Sequence, residues 1–308
     1  MMTQTIVSIH HLQKSFGKFQ ALKDITFDVN AGEVFGFIGP NGSGKSTTIR
    51  VLLGILKASG GQATIFSQDV WQKAVAIHNH IAYVPGDVYL WPNLTGGEMI
   101  DFLLKLNHQK HSAKTDELIH EFELDPKKKS RTYSKGNRQK VALIAALSTE
   151  ADLYIFDEPT SGLDPLMEEL FQKHVLALKR LGKSVLLSSH ILSEVERMCD
   201  RIGIIRAGEI VETGTLDQMR QLTRNQVIVQ TKQALTGIEA LTGVHGFKPD
   251  EHIANKAVFA VDTAQIGPVM AELTQREIVA LQTTPPTLED LFIRYYNHTE
   301  GAEGHDTK

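Results

Sequence analysis

Short, uninterrupted apolar runs separated by stretches of helical periodicity fill the first two thirds of the chain, which is the pattern of strands buried on both faces between helices. The runs at 34–38 (Val34, Phe35, Phe37, Ile38), 81–84, 153–156, 184–189 and 202–206 are too short for helices and read as strands. Residues 5–10 and 25–29 read as two more strands, the second alternating Ile25, Phe27 and Val29 with polar neighbours, and 11–24 as a loop between them. A helix follows Gly44 with Ile49, Leu52, Leu53 and Leu56 on one face; Gly60 and Gly61 stop it before a short strand at 63–66. Between 91 and 146 the pattern turns helical. Met99, Phe102, Leu103 and Leu106 share one face, and Leu118, Ile119 and Phe122 another. Ile191, Val195 and Met198 mark a further helix, and Gly208 a turn after the strand at 202–206. The expectation is an α/β core carrying a helical insert at about 91–146.

Near Leu222 the organisation changes. Strands at 227–230, 257–261 and 278–281, helices at 234–241 and 268–273, and a further strand between 244 and 253 give a βαββαβ order, that of a ferredoxin-like unit. A capping box at 287–290 precedes Leu288, Leu291, Phe292 and Tyr295 on one helical face, and 300–308 is a polar tail expected to be disordered. The predicted division is therefore 1–222, a small α+β domain at 223–298, and a tail at 299–308.

The strand at 34–38 empties into GPNGSGKST, residues 39–47, which fits G-x-x-x-x-G-K-[ST] with Gly39, Gly44, Lys45 and Ser46. Glycines let successive backbone N–H groups turn inward around an anion, and the following helix aims its positive end at the same place. The reading takes Gly39, Pro40, Asn41, Gly42, Ser43, Gly44, Lys45, Ser46 and Thr47 as a phosphate cradle, with Lys45 on the β- and γ-phosphates and the Ser46 hydroxyl on Mg²⁺. The strand at 153–156 feeds Asp157 and Glu158 at the carboxyl edge of a parallel sheet, where ligands collect. Asp157 is placed to hold Mg²⁺ and Glu158 to take the proton of an attacking water. His190 leaves the same edge within reach of a γ-phosphate, and Phe16 is an aromatic on which an adenine ring can stack.

The 308-residue chain carries 36 acidic and 32 basic side chains, a formal charge of −4, which gives no general electrostatic grip on nucleic acid. The run Lys127, Lys128, Lys129 and Arg131 reads as a solvated loop. The single Cys199 cannot form an internal disulfide, and no stretch is apolar enough to span a membrane, so a cytoplasmic chain is expected, with any membrane span supplied by another polypeptide.

With these pieces in this order, residues 6–221 resemble the nucleotide-binding subunit of an ATP-binding cassette (ABC) transporter, an α/β fold with a P-loop NTPase core, an antiparallel β subdomain and a helical insert. Phe16 matches the family's adenine-stacking aromatic, 39–47 its Walker A motif, 153–158 its Walker B, Ser161 to Asp164 its D-loop and His190 its switch histidine. YSKGNRQK, residues 133–140, stands where the family has LSGGQ: Ser134 and Gly136 remain, whereas Lys135 replaces a glycine and Asn137 the glutamine. Gly86 stands where the family has a glutamine near the metal, and Asp87 is the candidate substitute, through water, on the metal side. The resemblance implies ATP and Mg²⁺ as ligands, Glu158, His190 and Lys45 as catalytic groups, and Ser134, Gly136 and Asp164 as nucleotide contacts. It implies a second nucleotide-binding subunit, with a second copy as the expected partner, and a separate transmembrane permease at the cytoplasmic face of the membrane. The form PGD with LWPNLTGGE, and the ending PTLEDLFIRYY, resemble the antibiotic- and multidrug-exporting branch. The rival reading is a soluble cassette ATPase acting on ribosomes or DNA. Translation-type cassettes carry tandem motif sets, and repair-type ones separate Walker A from the signature by coiled-coil arms. This chain shows neither. A small P-loop kinase leaves the signature and D-loop unexplained.

Overall fold

A computed structural model describes residues 4–221 and 224–284. The chain divides into two compact units, Met1–Gly214 and Thr215–Lys308. The predicted capping box at 287–290 and the tail lie outside the described residues.

The first unit is built on one ten-stranded sheet. In chain order its elements are β1 (Thr5–Phe16), β2 (Phe19–Asn30), β3 (Val34–Ile38), α1 (Lys45–Leu52), β4 (Gly60–Ile65), β5 (Gln68–Asp69), α2 (Ala74–His78) and β6 (Ile81–Val84). Then come the helices of the insert, α3 (Gly96–Leu106), α4 (Ala113–Glu121) and α5 (Lys135–Ser148). Last are β7 (Leu153–Asp157), α6 (Pro165–Arg180), β8 (Ser184–Ser189), α7 (Leu192–Met198), β9 (Arg201–Arg206) and β10 (Glu209–Thr215). The strand order is β5-β4-β1-β2-β10-β9-β3-β8-β7-β6. One end is antiparallel: β1 pairs with β2 and β4, and β4 with β5. The other is parallel, with β3 between β8 and β9 and β7 between β6 and β8. Every residue of β3, β7 and β8 is buried, which is why these strands read as unbroken apolar runs.

Register places the site. Ile38 lies opposite Ser189, and Asp157 opposite Ser188, so the chain leaves three adjacent strands at one edge, at Gly39, Glu158 and His190. Ser188 fastens that edge: its hydroxyl donates to Asp157 Oδ1 at 2.5 Å, while the Glu158 N–H reaches its Oγ and its carbonyl, each at 3.1 Å.

Four expectations are corrected in the fold. Residues 11–24 are not a loop: β1 and β2 continue to Phe16 and from Phe19, turning over Gly17 and Lys18, with register shifts that break the two-residue alternation. The first helix ends at Leu52, well before Gly60, because Gly54 takes φ +65° and a Cβ there would lie 2.6 Å from the Val70 carbonyl. In α3 the buried face is Gly96, Met99, Ile100 and Leu104, and Leu106 at the helix end is exposed. The fourth correction falls in the second unit.

That unit contains α8 (Leu216–Gln221), β11 (Arg224–Thr231), β12 (Val244–Pro249), β13 (Lys256–Asp262), α9 (Ile266–Gln275) and β14 (Ile278–Thr284). Its strands form an antiparallel sheet in the order β12-β13-β11-β14 over a core that includes Val227, Val229, Phe259 and Leu273. The helix expected at 234–241 is only a 3₁₀ turn, Ile238–Ala240, because Gly237 at φ +85° interrupts it.

Candidate functional site

The loop after β3 can be built only from small residues. A Cβ on Gly39 would lie 2.3 Å from the Ile205 carbonyl, and Gly44 sits at φ +117° with Leu22 Cδ2 at 2.7 Å from where its Cβ would be. The helix α1 starts at once on Lys45 with no side chain capping its first turn, so its N–H groups are left for a ligand. Ser43 Oγ is buried in the same loop without a protein partner. A cavity of about 320 Å³ opens here, lined by Pro40, Asn41, Gly42, Gly44, Lys45, Ser46, Thr47 and Glu158, with Phe19 and Ala21 from β2.

Lys45 is almost fully buried. Its ammonium donates to the Gly39 carbonyl at 2.6 Å and the Pro40 carbonyl at 3.3 Å, and stands 3.0 Å from Glu158 Oε1. That last contact is an ion pair by distance, not an aligned hydrogen bond. The other Glu158 oxygen pairs with His190 Nδ1. Lysine, glutamate and histidine thus form one chain of contacts that starts at the cavity wall, where Lys45 and Glu158 line it, and runs on to His190. Glu158 itself sits at φ +50°, a conformation that costs a non-glycine residue about 1–3 kcal/mol and is held by the Ser188 bonds to its N–H. Asp157 is buried, and its charge, after burial, helps push the neighbouring Tyr83 phenol up to about 12, so that group stays neutral.

A carboxylate and a hydroxyl, Asp157 and Ser46, are hard oxygen donors suited to Mg²⁺, which takes few protein ligands and completes its shell with phosphate and water. Among the described residues no larger cluster of acidic, histidine or cysteine side chains competes with them. A divalent cation held by Asp157 and Ser46 would supply positive charge to offset that of bound phosphate.

Other predicted residues stand apart from this cavity. Ser134 caps α5, accepting from the Asn137 N–H at 3.2 Å, and Gly136 packs against the D-loop, where its Cβ would meet the Gly162 carbonyl at 2.4 Å. Lys135 donates to Ser161 Oγ at 2.6 Å. Asp164 caps α6, accepting from the Met167 N–H at 3.1 Å. Phe16 is exposed at the tip of the β1–β2 hairpin with the Lys14 ammonium 5.0 Å from its ring, and Phe19, its register partner, lines the cavity instead. A second aromatic three positions on in the same hairpin was the available signal for Phe19. Asp87 lines a separate cavity of about 360 Å³ with Arg131, Lys135 and Arg138, whereas a Cβ on Gly86 would lie 3.3 Å from the Asp157 carbonyl and 3.6 Å from Glu158 Cβ. Position 86 therefore passes beside the backbone of residues 157 and 158.

A glycine cradle at a helix N-terminus, with a lysine inside it and a carboxylate pair at the end of a neighbouring parallel strand, defines a P-loop NTPase. The model of the family described as "ABC transporter" matches residues 22–161. The uncharacterized ABC transporter ATP-binding protein YdbJ of Bacillus subtilis is 34% identical over 301 residues, 95% of this chain and 96% of that protein. The linearmycin resistance ATP-binding protein LnrL of the same organism is 30% identical over 308 residues, 96% and 99% of the respective chains. A solved ATP-binding subunit of an ABC transporter superposes with a TM-score of 0.65 at 32% identity, covering 70% of this chain and 92% of that one. The chain belongs to the ABC transporter family as an ATP-binding subunit, and its chemistry is ATP hydrolysis.

Proposed function

We propose that two copies of this chain close face to face on ATP, hydrolyse it, and thereby drive export of a drug or antibiotic through a separate membrane permease. The observation that carries the reading is a division of labour. Lys45, Ser46 and Glu158 gather at one cavity, whereas Ser134 and the N-terminus of α5 are not among its lining. The N-terminus of α5, with Ser134 at its cap accepting from the Asn137 N–H, is the equipment for gripping a γ-phosphate presented by another subunit. Each chain then supplies half of two composite sites, with Glu158 as base, His190 on the γ-phosphate and Asp157 and Ser46 on the metal. Asp87, across a cavity from three cations, supports a role at the edge of this machinery through water.

Glu158→Gln tests the core of the proposal. The variant is expected to bind ATP, to lose about 10²- to 10⁴-fold in hydrolysis, the general-base contribution, and to accumulate as a closed dimer in light scattering. Normal turnover, or a species that stays monomeric with ATP, contradicts it.

Among the described residues no helix is long and apolar enough to cross a membrane. An apolar cavity of about 140 Å³ between the core and the insert is lined by Tyr83, Val88, Leu90, Met99, Leu103 and Ala142, and Tyr89 at its rim is 90% exposed. Trp91 is half-exposed, packs edge-on against Phe102 at 4.5 Å and is not among the residues lining this cavity. This groove suits a short cytoplasmic helix of the permease. Tyr89→Ala is expected to keep the ATPase of the isolated subunit and lose its coupling to the permease, read as transport by reconstituted vesicles. The export direction is supported by the likeness to LnrL along nearly the whole of both chains. The C-terminal unit, a four-stranded sheet with one α-helix against it, is an accessory that stabilises or regulates the dimer.

A further inference from the structure

Glu194 lies in the first turn of α7, four residues beyond His190, and is 3% exposed. A glutamate at this place in a helix ordinarily reaches back to the N-cap N–H. Here the N–H of the cap residue Ile191 is already taken by Ser189 Oγ at 2.9 Å, and Glu194 turns elsewhere. Its Oε2 accepts from Thr160 Oγ1 at 3.1 Å and from Ser189 Oγ at 3.3 Å, while Oε1 is buried without a protein partner.

The two donors are not arbitrary. Thr160 is two residues past Glu158 and opens the loop that runs to Asp164; Ser189 immediately precedes His190. One carboxylate oxygen therefore joins the loop carrying the base to the strand end carrying the histidine. Burying an acid in this way is unfavourable. Burial raises its pKa, helped by Glu168 and Glu158, against the lowering effect of the two hydroxyls. An apolar side chain would fill the space without that penalty.

We propose that Glu194 is a positioning residue for hydrolysis, whose carboxylate ties the loop from Glu158 to Asp164 to the end of β8 and so keeps Glu158 and His190 in register. The inference rests on the assignment of Glu158 as base. It acts on the chemical step and leaves nucleotide binding at Lys45 untouched.

The full chain is assayed for kcat and KM with MgATP, for equilibrium binding of a fluorescent ATP analogue, and for thermal midpoint. Glu194→Ala is expected to lower kcat by roughly tenfold to a hundredfold, the order that a displacement of ~1 Å produces, with KM and analogue binding little changed. Glu194→Gln keeps an acceptor oxygen for both hydroxyls and is expected to retain most of kcat. Thr160→Val keeps the shape and loses the donor, so it lowers kcat, and combined with Glu194→Ala it adds little further loss. The proposal is overturned by a normal kcat in Glu194→Ala, by a loss that falls on KM, or by independent, multiplying effects of the two sites. If Glu194→Ala does not fold, Thr160→Val decides: an unchanged kcat there sinks the idea. Failure of the base assignment is read separately, as turnover surviving in Glu158→Gln.

Discussion

Lys45 stands 3.0 Å from Glu158 and donates to two carbonyls, so a phosphate in the cavity competes with those contacts for the ammonium. The other oxygen of Glu158 is held by His190. Lys45, Asp157, Glu158 and His190 were all legible from the sequence, because their motifs specify chemistry by spacing alone. Ser188 and Glu194 were not, because each gains its place from a partner distant in sequence, on a neighbouring strand or another loop; Phe19 had a signal, a second aromatic close to Phe16, that went unread. The hairpin makes one further residue testable. Phe19→Ala is expected to weaken nucleotide binding by about two- to tenfold, the range of one aromatic contact, in a fluorescence titration with an ATP analogue. Phe16→Ala in the same titration separates the two rings.

At the level of elements, what the pattern revealed depended on how completely each was buried. Strands covered on both faces, β3, β7 and β8, were readable to within a residue. The distal part of the bulged β1–β2 hairpin, residues 11–24, was mistaken for loop because shifts of register erase alternation, whereas 5–10 and 25–29 were read as strands. The helix expected at 234–241 failed on a single glycine. In contrast, α6 was overlooked although its signal was present, with Met167, Phe171 and Val175 at helical spacing after the Asp164 cap and Pro165. The insert also carries a titratable brace. His111 bonds Asp101 of α3 at 2.6 Å and Asp116 of α4 at 3.0 Å, and these carboxylates hold its pKa above the ordinary 6.5. A raised pKa in the folded state means that the brace contributes fully below pH 6.5 and fades as pH rises through the higher value. Thermal midpoints followed upward from pH 6 should therefore fall in the wild type more than in His111→Asn. Equal slopes would show that the brace contributes nothing.

At the scale of the whole molecule, Ser134 stands outside the phosphate cavity, and the proposed function makes activity a property of paired chains. Specific ATPase activity is accordingly expected to climb with protein concentration in dilute solution. Ser134→Ala should depress it at every concentration while leaving analogue binding to the single chain intact. Turnover per chain that is independent of dilution would contradict this. The family was legible at this scale because several motifs had to occur in one order. Of the apolar cavity, the aromatic loop carrying Tyr89 and Leu90 was legible as a junction, but not its other walls in β6, α3 and α5, whose proximity only the fold establishes.

The chain's one cysteine offers a practical consequence. Cys199 lies beneath β3, where a Cβ on Gly36 would come within 2.9 Å of its sulfur, and burial pushes its thiol pKa well up. A sulfur that is both covered and protonated is a poor nucleophile. The natural sequence is thus already silent toward maleimide dyes. A reporter installed at an open position such as Val75→Cys, 84% exposed, would be labelled alone, and opening or shutting could be watched without first engineering a thiol-free background.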